Sequence, residues 1–168
     1  MHSLFPPNLI SDRPLIQGYC KLIDYNDVAS LIPHSGQLVL LDKVVEFNDE
    51  KLVAEMTVRG DGLFGNDKNV PAWAGIEYMA QAVGVYAGIK SKLAGEPIKL
   101  GYLLGTRRFS SNVASFVVGT ELTINVKVII QDDKLGAFDC QILGDGIEVS
   151  ANLTVYQPPI DIELKGRS

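Results

Sequence analysis

Glu77 is the only charged side chain between Pro71 and Ile89, a run of 19 residues that is otherwise apolar, small or uncharged. Its place early in a predicted helix favours the ionised carboxylate, because the N-terminal end of the helix dipole is positive. Burial among apolar neighbours favours the protonated form instead. A carboxyl group under both influences can act as a general acid or base near neutral pH. The alternative is a solvent-facing Glu that only stabilises the helix dipole.

His34 is the second residue that could transfer protons, since the chain of 168 residues contains two histidines, His2 and His34. His2 lies at the N-terminus, where chains commonly fray, so a catalytic imidazole would have to come from His34. The alternative is a histidine in the turn Pro33-His34-Ser35-Gly36 whose ring hydrogen-bonds to the backbone. Two His and two Cys exclude a zinc finger, an iron–sulfur cluster and a disulfide-rich scaffold.

The charge of the chain is unevenly distributed along its length. Lys plus Arg total 15 and Asp plus Glu total 20, which gives a net charge of −5. An acidic balance does not fit a nucleic-acid binder, which needs positive charge to neutralise phosphates. Residues 90–108 depart from this balance, with Glu96 as their one acidic residue and these basic ones: Lys90, Lys92, Lys99, Arg107 and Arg108. This basic window predicts contact with an acidic partner or a phosphate; an ordinary solvated face is the alternative.

The remaining residue patterns add little further chemistry. Trp73, the single tryptophan, precedes the predicted helix and is expected in the core or in a pocket wall. No Gly-x-Gly-x-x-Gly, Walker or Gly-x-Ser-x-Gly run occurs in the sequence, so we expect neither a nucleotide cofactor nor a nucleophile elbow. Cys20 and Cys140 could pair only with each other, and the strand pattern around Cys140 predicts a buried, reduced thiol. The sequence thus predicts no cofactor and no metal.

Two features of the sequence bear on the compartment. The N-terminus lacks a basic n-region and a continuous apolar h-region, so it does not resemble a signal peptide, and a cytoplasmic protein is expected. The run from Pro71 to Ile89 is long enough to span a membrane. Glu77 and Gln81 would be costly inside a bilayer, so we expect no membrane span and interpret the run as the buried central helix of a soluble fold.

The periodicity of the chain predicts two strands, one long helix and then about four strands. Before them, residues 1–22 form an arm, and a short helix over 24–31 is N-capped by Asp24. The predicted strands cover residues 37–47, 51–59, 100–109, 121–130, 135–143 and 147–155. A loop over 60–70 precedes the helix, which begins after Pro71, carries Lys90 and Lys92 at its far end and is closed by Gly95.

This order predicts an α+β fold in which a curved antiparallel sheet wraps one central helix. A helix that is apolar on all sides needs a sheet curled around it. Ala80, Gly84 and Gly88, spaced by four residues, are expected to let the helix press closely on the strands. A sheet this apolar also needs a second covering surface, so we expect at least a dimer.

Two segments resemble a known family. Pro33 to Val44, PHSGQLVLLDKV, resembles the PHRxPFLLVDRV opening of the hotdog-fold 3-hydroxyacyl-acyl carrier protein dehydratases. Glu77 to Ala82, EYMAQA, is similar to their helix motif EAMAQA. With VPAWAGIEYMAQA followed by LGYLLGTRRF, the chain looks most like the dehydratase subfamily of aryl-polyene biosynthesis clusters. The resemblance covers roughly residues 24–157 and implies a hotdog domain over 23–157, between the N-terminal arm of residues 1–22 and a C-terminal tail of residues 158–168.

The resemblance implies roles for individual residues and one departure. The family's catalytic carboxylate falls on Glu77 and its helix glutamine, expected to orient that carboxylate, on Gln81. The family's catalytic histidine, in an HFPGHPVMPG segment ahead of the helix, falls on Leu63, so His34 would have to replace it as the base for the C2 proton. Ala72 stands where the family has a glycine whose N–H faces the substrate carbonyl. The N–H groups near Ala72 and Trp73 are then expected to polarise the thioester.

The resemblance also implies partners. An acidic acyl carrier protein would explain the basic window, with Arg107 and Arg108 as candidates for the pantetheine phosphate or the carrier surface. The assembly would be a homodimer or a heterodimer with another hotdog dehydratase. Two alternatives stay open, because the usual histidine is absent. One is a hotdog thioesterase, which needs only a carboxylate-activated water, and the other is a non-catalytic subunit that binds the carrier.

Overall fold

The computed structural model of the chain describes residues 24–60 and 62–159. The predictions for the N-terminal arm of residues 1–22, including His2 and Cys20, lie outside the described residues. The same holds for the tail beyond residue 159.

The described residues form one α-helix and eight strands, joined by turns and three short 3₁₀ segments. The strands are β1 (Lys43–Phe47), β2 (Lys51–Thr57), β3 (Asn69–Pro71), β4 (Tyr102–Ser111), β5 (Ser115–Val117), β6 (Glu121–Gln131), β7 (Leu135–Gly144) and β8 (Ile147–Tyr156). The helix α1 is Gly75–Leu93, and the 3₁₀ segments are Val28–Ser30, Gly36–Leu38 and Ala72–Ala74. The predicted order of two strands, one helix and four long strands is confirmed, with the short pair β3 and β5 added.

Six strands form one antiparallel sheet in the order β1-β2-β6-β7-β8-β4, and β3 pairs separately with β5. The helix α1 packs on the inner face of this sheet, against β2, β6, β7 and β8. Residues of β2, β6, β7 and β8 alternate between buried and more exposed, so these strands turn one face to the helix. The buried set on β6 to β8 is Leu122, Ile124, Val126, Phe138, Cys140, Ile142, Val149, Ala151 and Leu153. The predicted α+β architecture is therefore confirmed.

Both ends of α1 follow the sequence prediction. At the N-terminal end, Pro71 ends β3 and is followed by the 3₁₀ turn Ala72–Ala74. At the C-terminal end, Gly95 has a φ of +70° and donates its N–H to the carbonyl of Lys92. Within the described residues, no helix has the length and hydropathy that crossing a membrane requires.

The first part of the domain differs from the prediction. The expected helix over 24–31 is only the 3₁₀ turn Val28–Ser30, and its N-cap is Asp27, whose carboxylate accepts the Ser30 N–H. Asp24 caps a tighter turn by accepting the N–H of Asn26. The strand expected over 37–47 is shortened to β1, because residues 38–40 bond to side chains of other elements instead of to a neighbouring strand.

The edge strand β4 contains two β-bulges. Leu103 pairs with Val155 and Gly105 with Thr154, which leaves Leu104 as an extra residue. Between Arg107 and Ser110, two residues of β4 oppose one residue of β8. Arg108 sits in this second bulge with a φ of +54°, the left-handed region that non-glycine residues rarely adopt. The two bulges make the edge of the sheet at β4 irregular.

Candidate active site

The structure places His34 beside Glu77. His34 lies in the loop before the 3₁₀ turn Gly36–Leu38, and Glu77 lies in the first turn of α1. His34 Nε2 is 4.0 Å from Glu77 Oε1, and the two side chains are 36% and 39% exposed. A proton acceptor and a carboxyl group thus face the same space, partly open to a ligand. These two residues, 43 positions apart in the sequence, form the centre of the candidate site.

The electrostatics of Glu77 show the burial effect expected from the sequence, but the opposing influences are His34 and Gln81 and not the helix dipole. Burial raises the pKa of the Glu77 carboxyl above its ordinary value. The neighbouring His34 and a hydrogen bond from the Gln81 side chain lower it, but burial is the largest effect. A carboxyl group whose pKa is raised holds its proton closer to neutral pH and is better suited to act as an acid.

Gln81 holds the loop that carries His34 against the helix. Its side-chain oxygen accepts the N–H of Leu40 at 2.9 Å, and its amide donates to the carbonyl of Leu38. Gln81 is 2% exposed, so these bonds are screened from water. Arg59 donates to the carbonyl of Val39, which lies between them. Arg59 was not predicted as a site residue, and no sequence signal connects it with Val39.

We expect Gln81→Leu to lower the free energy of unfolding by about 1–3 kcal/mol, because the buried N–H of Leu40 and the part-buried carbonyl of Leu38 both lose their partner. The loop that carries His34 would also loosen. Urea unfolding measures the stability change, and Gln141→Leu is the matched control because the side chain of Gln141 bonds the exposed Glu148 at 3.3 Å. Equal stability of the two variants would contradict the role given to Gln81.

The Nδ1 atom of His34 is buried and has no hydrogen-bond partner among the described residues. A histidine usually bonds through one ring nitrogen, and that bond fixes which nitrogen carries the proton. Nε2 is the nitrogen that faces Glu77. No such bond at Nδ1 fixes the proton position in the described residues, and the turn-histidine alternative, a ring bonded to backbone, does not describe His34.

A cavity of about 190 Å³ begins at His34 and Glu77 and runs along one side of α1. Its helix side is lined by Glu77, Ala80, Gln81, Val83, Gly84 and Ala87. The sheet side is lined mainly by β4, β7 and β8, and the far end by the turn of residues 131–135 between β6 and β7. His34 and Glu77 thus lie at one end of a cavity whose helix and sheet walls are mainly apolar and whose far end is polar.

The helix residues that face this cavity are small. Between Glu77 and Ile89 the part-exposed residues are Glu77, Ala80, Gly84 and Ala87, and every one of them lines the cavity. The prediction that Ala80, Gly84 and Gly88 press against strands needs correction. Only Gly88 makes a close backbone approach, and its neighbour is the carbonyl of Leu31 in a turn, not a strand.

The two residues expected to polarise a carbonyl occupy different environments. Ala72 is 5% exposed and donates its N–H to the carbonyl of Ala114, so that amide already has an acceptor. Trp73 is 56% exposed, and its ring meets Phe64 edge-on at 6.0 Å. In the described residues Trp73 belongs neither to the core nor to the cavity wall, contrary to the expectation from its position before the helix.

The basic window does not form one continuous patch. Lys90 lies 3.4 Å from Asp49, Lys92 donates to Ser30, and Lys99 pairs with Glu96 at 2.6 Å. Arg107 and Arg108 are exposed on β4. Local partners therefore engage the three lysines, and the two arginines are the better candidates for an external anion.

In residues 24–60 and 62–159, no three His, Cys, Asp or Glu side chains lie close enough to hold a metal ion. Cys140 is a free thiol in the core, as predicted, and burial raises its pKa to about 12. A thiol with so high a pKa is a poor nucleophile.

Comparison with known families gives one match over most of the chain. The model of the ApeP-like family, described as ApeP dehydratase, matches residues 26–165. Among curated proteins, the 3-hydroxyacyl-acyl-carrier-protein dehydratase FabZ of Vibrio vulnificus (strain YJ016) is 29% identical over 126 residues, which cover 70% of this chain and 81% of that protein. The FabZ of Actinobacillus pleuropneumoniae serotype 5b (strain L20) is 26% identical over 133 residues, covering 75% and 84%.

Solved structures agree with this match. A chain in the dehydratase heterocomplex ApeI:P from Xenorhabdus doucetiae superposes with a TM-score of 0.75 at 34% identity, covering 83% of this chain and 97% of that chain. A Streptococcus pneumoniae protein described as a hypothetical thioesterase superposes with a TM-score of 0.53 at 14% identity, covering 69% and 84%. At that identity the second likeness shows a shared fold only.

Proposed function

The chain belongs to the ApeP-like dehydratase family, and from that membership we propose that it eliminates water from 3-hydroxyacyl thioesters carried by acyl carrier protein, giving trans-2-enoyl thioesters. The FabZ relatives are named for this substrate class. The observation that carries the proposal is the His34–Glu77 pair, 4.0 Å apart at one end of a cavity whose walls along α1 and the sheet are mainly apolar. An acyl chain can enter such a cavity while its first carbons stay beside the pair.

The reaction divides between the two side chains. His34 Nε2 takes the proton from C2, the electrons of that C–H bond form the C2–C3 double bond, and the C3–O bond breaks. Glu77 gives its proton to the departing hydroxyl, which leaves as water, and Gln81 orients the Glu77 carboxyl. A separation of 4.0 Å leaves no space for a carbon chain between the two groups. They therefore act on neighbouring carbons from the same side of the substrate. Transfer of a proton from His34 back to Glu77 then restores the starting protonation state of both side chains.

The thioester oxygen gains negative charge as C2 loses its proton, so it needs donors near the start of α1. The Ala72 N–H bonds Ala114, and using it would require that bond to open. The N–H groups at Trp73 and beyond lie at the positive end of the helix dipole and are the donors we propose.

Product analysis tests the proposed reaction against both alternatives. Purified protein is mixed with a 3-hydroxyacyl-carrier thioester, and the carrier and its products are analysed by mass spectrometry. Loss of one water from the intact thioester supports dehydration, while release of a free hydroxy acid would indicate a thioesterase. A non-catalytic subunit would show no turnover alone and would gain turnover when a second hotdog chain is added. That turnover would then be unchanged by Glu77→Gln.

The carrier is proposed to dock beside Arg107 and Arg108. Both arginines are exposed on β4, and Arg107 pairs with Asn152 of β8, which pairs with Asp139 in the middle of β7. Arginine also suits the phosphate of a pantetheine arm, since its planar group binds phosphate oxygens in pairs.

We expect Arg107→Glu combined with Arg108→Glu to weaken carrier binding by tenfold or more at low salt, because two attractive charges become repulsive toward an acidic partner. The difference should shrink as added salt screens the charges. The matched control is Lys127→Glu, an exposed charge reversal on β6 of the same sheet. Equal affinity of the double variant and the unaltered protein in titration calorimetry would refute the docking site.

The proposed assembly is a dimer with a second hotdog chain. The heterocomplex that contains the 34% identical chain supports a different hotdog protein as the partner, and a homodimer is the other arrangement. We also propose that the acyl chains belong to aryl-polyene biosynthesis, on the strength of the ApeP-like family match. The cytoplasmic location stays a prediction from the sequence.

A further inference from the structure

Gly84 occupies the middle of α1 although neither packing nor backbone conformation requires a glycine there. A Cβ added at Gly84 would meet only Ile32 Cγ2, at the ordinary contact distance of 3.6 Å. At Gly88, one turn later, a Cβ would overlap the carbonyl oxygen of Leu31. Gly84 is also not among the residues with a positive φ. Because glycine destabilises a helix interior relative to alanine, this position calls for another explanation.

The missing side chain of Gly84 opens onto the cavity. Gly84 is part-exposed on the same stripe of α1 as Glu77, Ala80 and Ala87, and all four line the channel. The walls beside it include the apolar side chains of Ile32, Leu103, Leu135, Phe138 and Val155. The far end of the cavity is polar and is lined by Lys99, Gln131, Asp132, Asp133, Lys134 and Gln157. A hydrocarbon chain that starts at Glu77 and follows the helix therefore has to pass Gly84.

We propose that Gly84 determines the longest acyl chain the protein accepts, because its lack of a side chain leaves the passage along which the chain extends past the middle of α1. This inference rests on the proposed function. With a rise of about 1.5 Å per residue, Gly84 lies about 10 Å along the helix from Glu77. An extended chain of single bonds gains about 1.2 Å per bond. A dodecanoyl chain therefore reaches Gly84 from its hydroxyl-bearing carbon, whereas a butyryl chain ends well before it.

The experiment compares Gly84→Leu with the unaltered full-length chain, in the assembly that shows turnover. The measured quantity is kcat/KM for the 3-hydroxydodecanoyl carrier divided by kcat/KM for the 3-hydroxybutyryl carrier. We expect this ratio to fall at least tenfold in Gly84→Leu, because the new side chain closes the passage. Ala94→Leu adds a similar bulk at an exposed position just after α1 and should leave the ratio unchanged.

A smaller variant guards against misfolding. In Gly84→Ala the ratio of the two kcat/KM values should also fall, by a smaller factor than in Gly84→Leu. The Tm of Gly84→Ala should equal or exceed that of the unaltered protein, because the added Cβ meets no close neighbour and alanine favours the helix. An unchanged ratio in Gly84→Ala and Gly84→Leu, both folded, would overturn the proposal. If Gly84→Leu does not fold, an unchanged ratio in Gly84→Ala alone overturns it.

Failure of the dehydratase function can be told apart from failure of this inference. If the unaltered protein converts neither substrate, the proposed reaction is wrong, and binding of dodecanoyl-pantetheine and butyryl-pantetheine is then measured by calorimetry. Selective loss of dodecanoyl binding in the Gly84 variants would still support the passage. Equal effects on both ligands, or no binding of dodecanoyl-pantetheine by the unaltered protein, would overturn it.

Discussion

Glu77→Gln is expected to lower the rate of dehydration by about 10²- to 10⁴-fold, the usual contribution of a positioned acid or base. The amide keeps the size of the side chain and its polar contacts, but it cannot give a proton to the departing hydroxyl. The measurement is single-turnover formation of the enoyl thioester. Glu121→Gln, an exposed Glu at the start of β6, is the control that changes the same charge away from the cavity.

The same substitution should not harm the fold. Burial raises the pKa of Glu77 in the folded protein, so the folded state binds this proton more tightly than the unfolded chain does. Stability therefore falls as pH rises through the interval between the unfolded and the folded pKa. Glu77→Gln removes that loss, and its free energy of unfolding at pH 7 should equal or exceed that of the unaltered protein. A clearly less stable variant would contradict the burial effect.

The activity of the unaltered protein, like its stability, should fall as pH rises through the pKa of Glu77. Glu77 acts as an acid in the proposed reaction, so kcat/KM should fall as pH rises through its raised pKa. The residual activity of Glu77→Gln should lack this fall in kcat/KM with rising pH.

His34→Ala is the second large effect, with an expected loss of about 10²-fold or more in the same assay, because no other imidazole lies in the described residues to take the C2 proton. His2→Ala is the natural control, since it removes the only other histidine. Added imidazole should restore part of the activity of His34→Ala, which a merely structural defect would not allow.

The two residues should also act as a unit. The variant that lacks both Glu77 and His34 is expected to be about as slow as the slower single variant, because removal of either member already disables the proton exchange. Near-normal turnover by His34→Ala would remove His34 from the mechanism. It would also leave the family's histidine position, Leu63 here, without a replacement in the described residues.

The architecture followed from periodicity, because a single uninterrupted apolar helix has few arrangements with a meander of alternating strands. The prediction failed where side chains replace strand hydrogen bonds. Residues 38–40 read as a continuous strand, yet Gln81 and Arg59 hold them in another conformation. Such long-range bonds leave no periodic signal. The short strands β3 and β5 were also missed, since three residues are too few to show alternation.

The candidate site was predicted in part. The isolation of Glu77 within an apolar helix and the scarcity of histidines pointed to the pair that the structure brings within 4.0 Å. The spacing of Ala80, Gly84 and Gly88 predicted small residues at contacts, but it could not distinguish a residue that faces a cavity from one that faces backbone. The sequence also contained no sign that Trp73 is exposed, because a place just before a helix does not determine the direction of the side chain.

The two bulges of β4 have a consequence for the behaviour of the protein at high concentration. A flat edge strand with exposed apolar residues such as Leu104 can be extended by strand after strand from other copies, which leads to fibrous aggregates. Each bulge inserts an unpaired residue, and Arg108 adds a charge within one of them. A strand from another chain can complete its hydrogen bonds with β4 only if its backbone accommodates both bulges. The edge therefore resists open-ended growth while it can still accept one complementary strand.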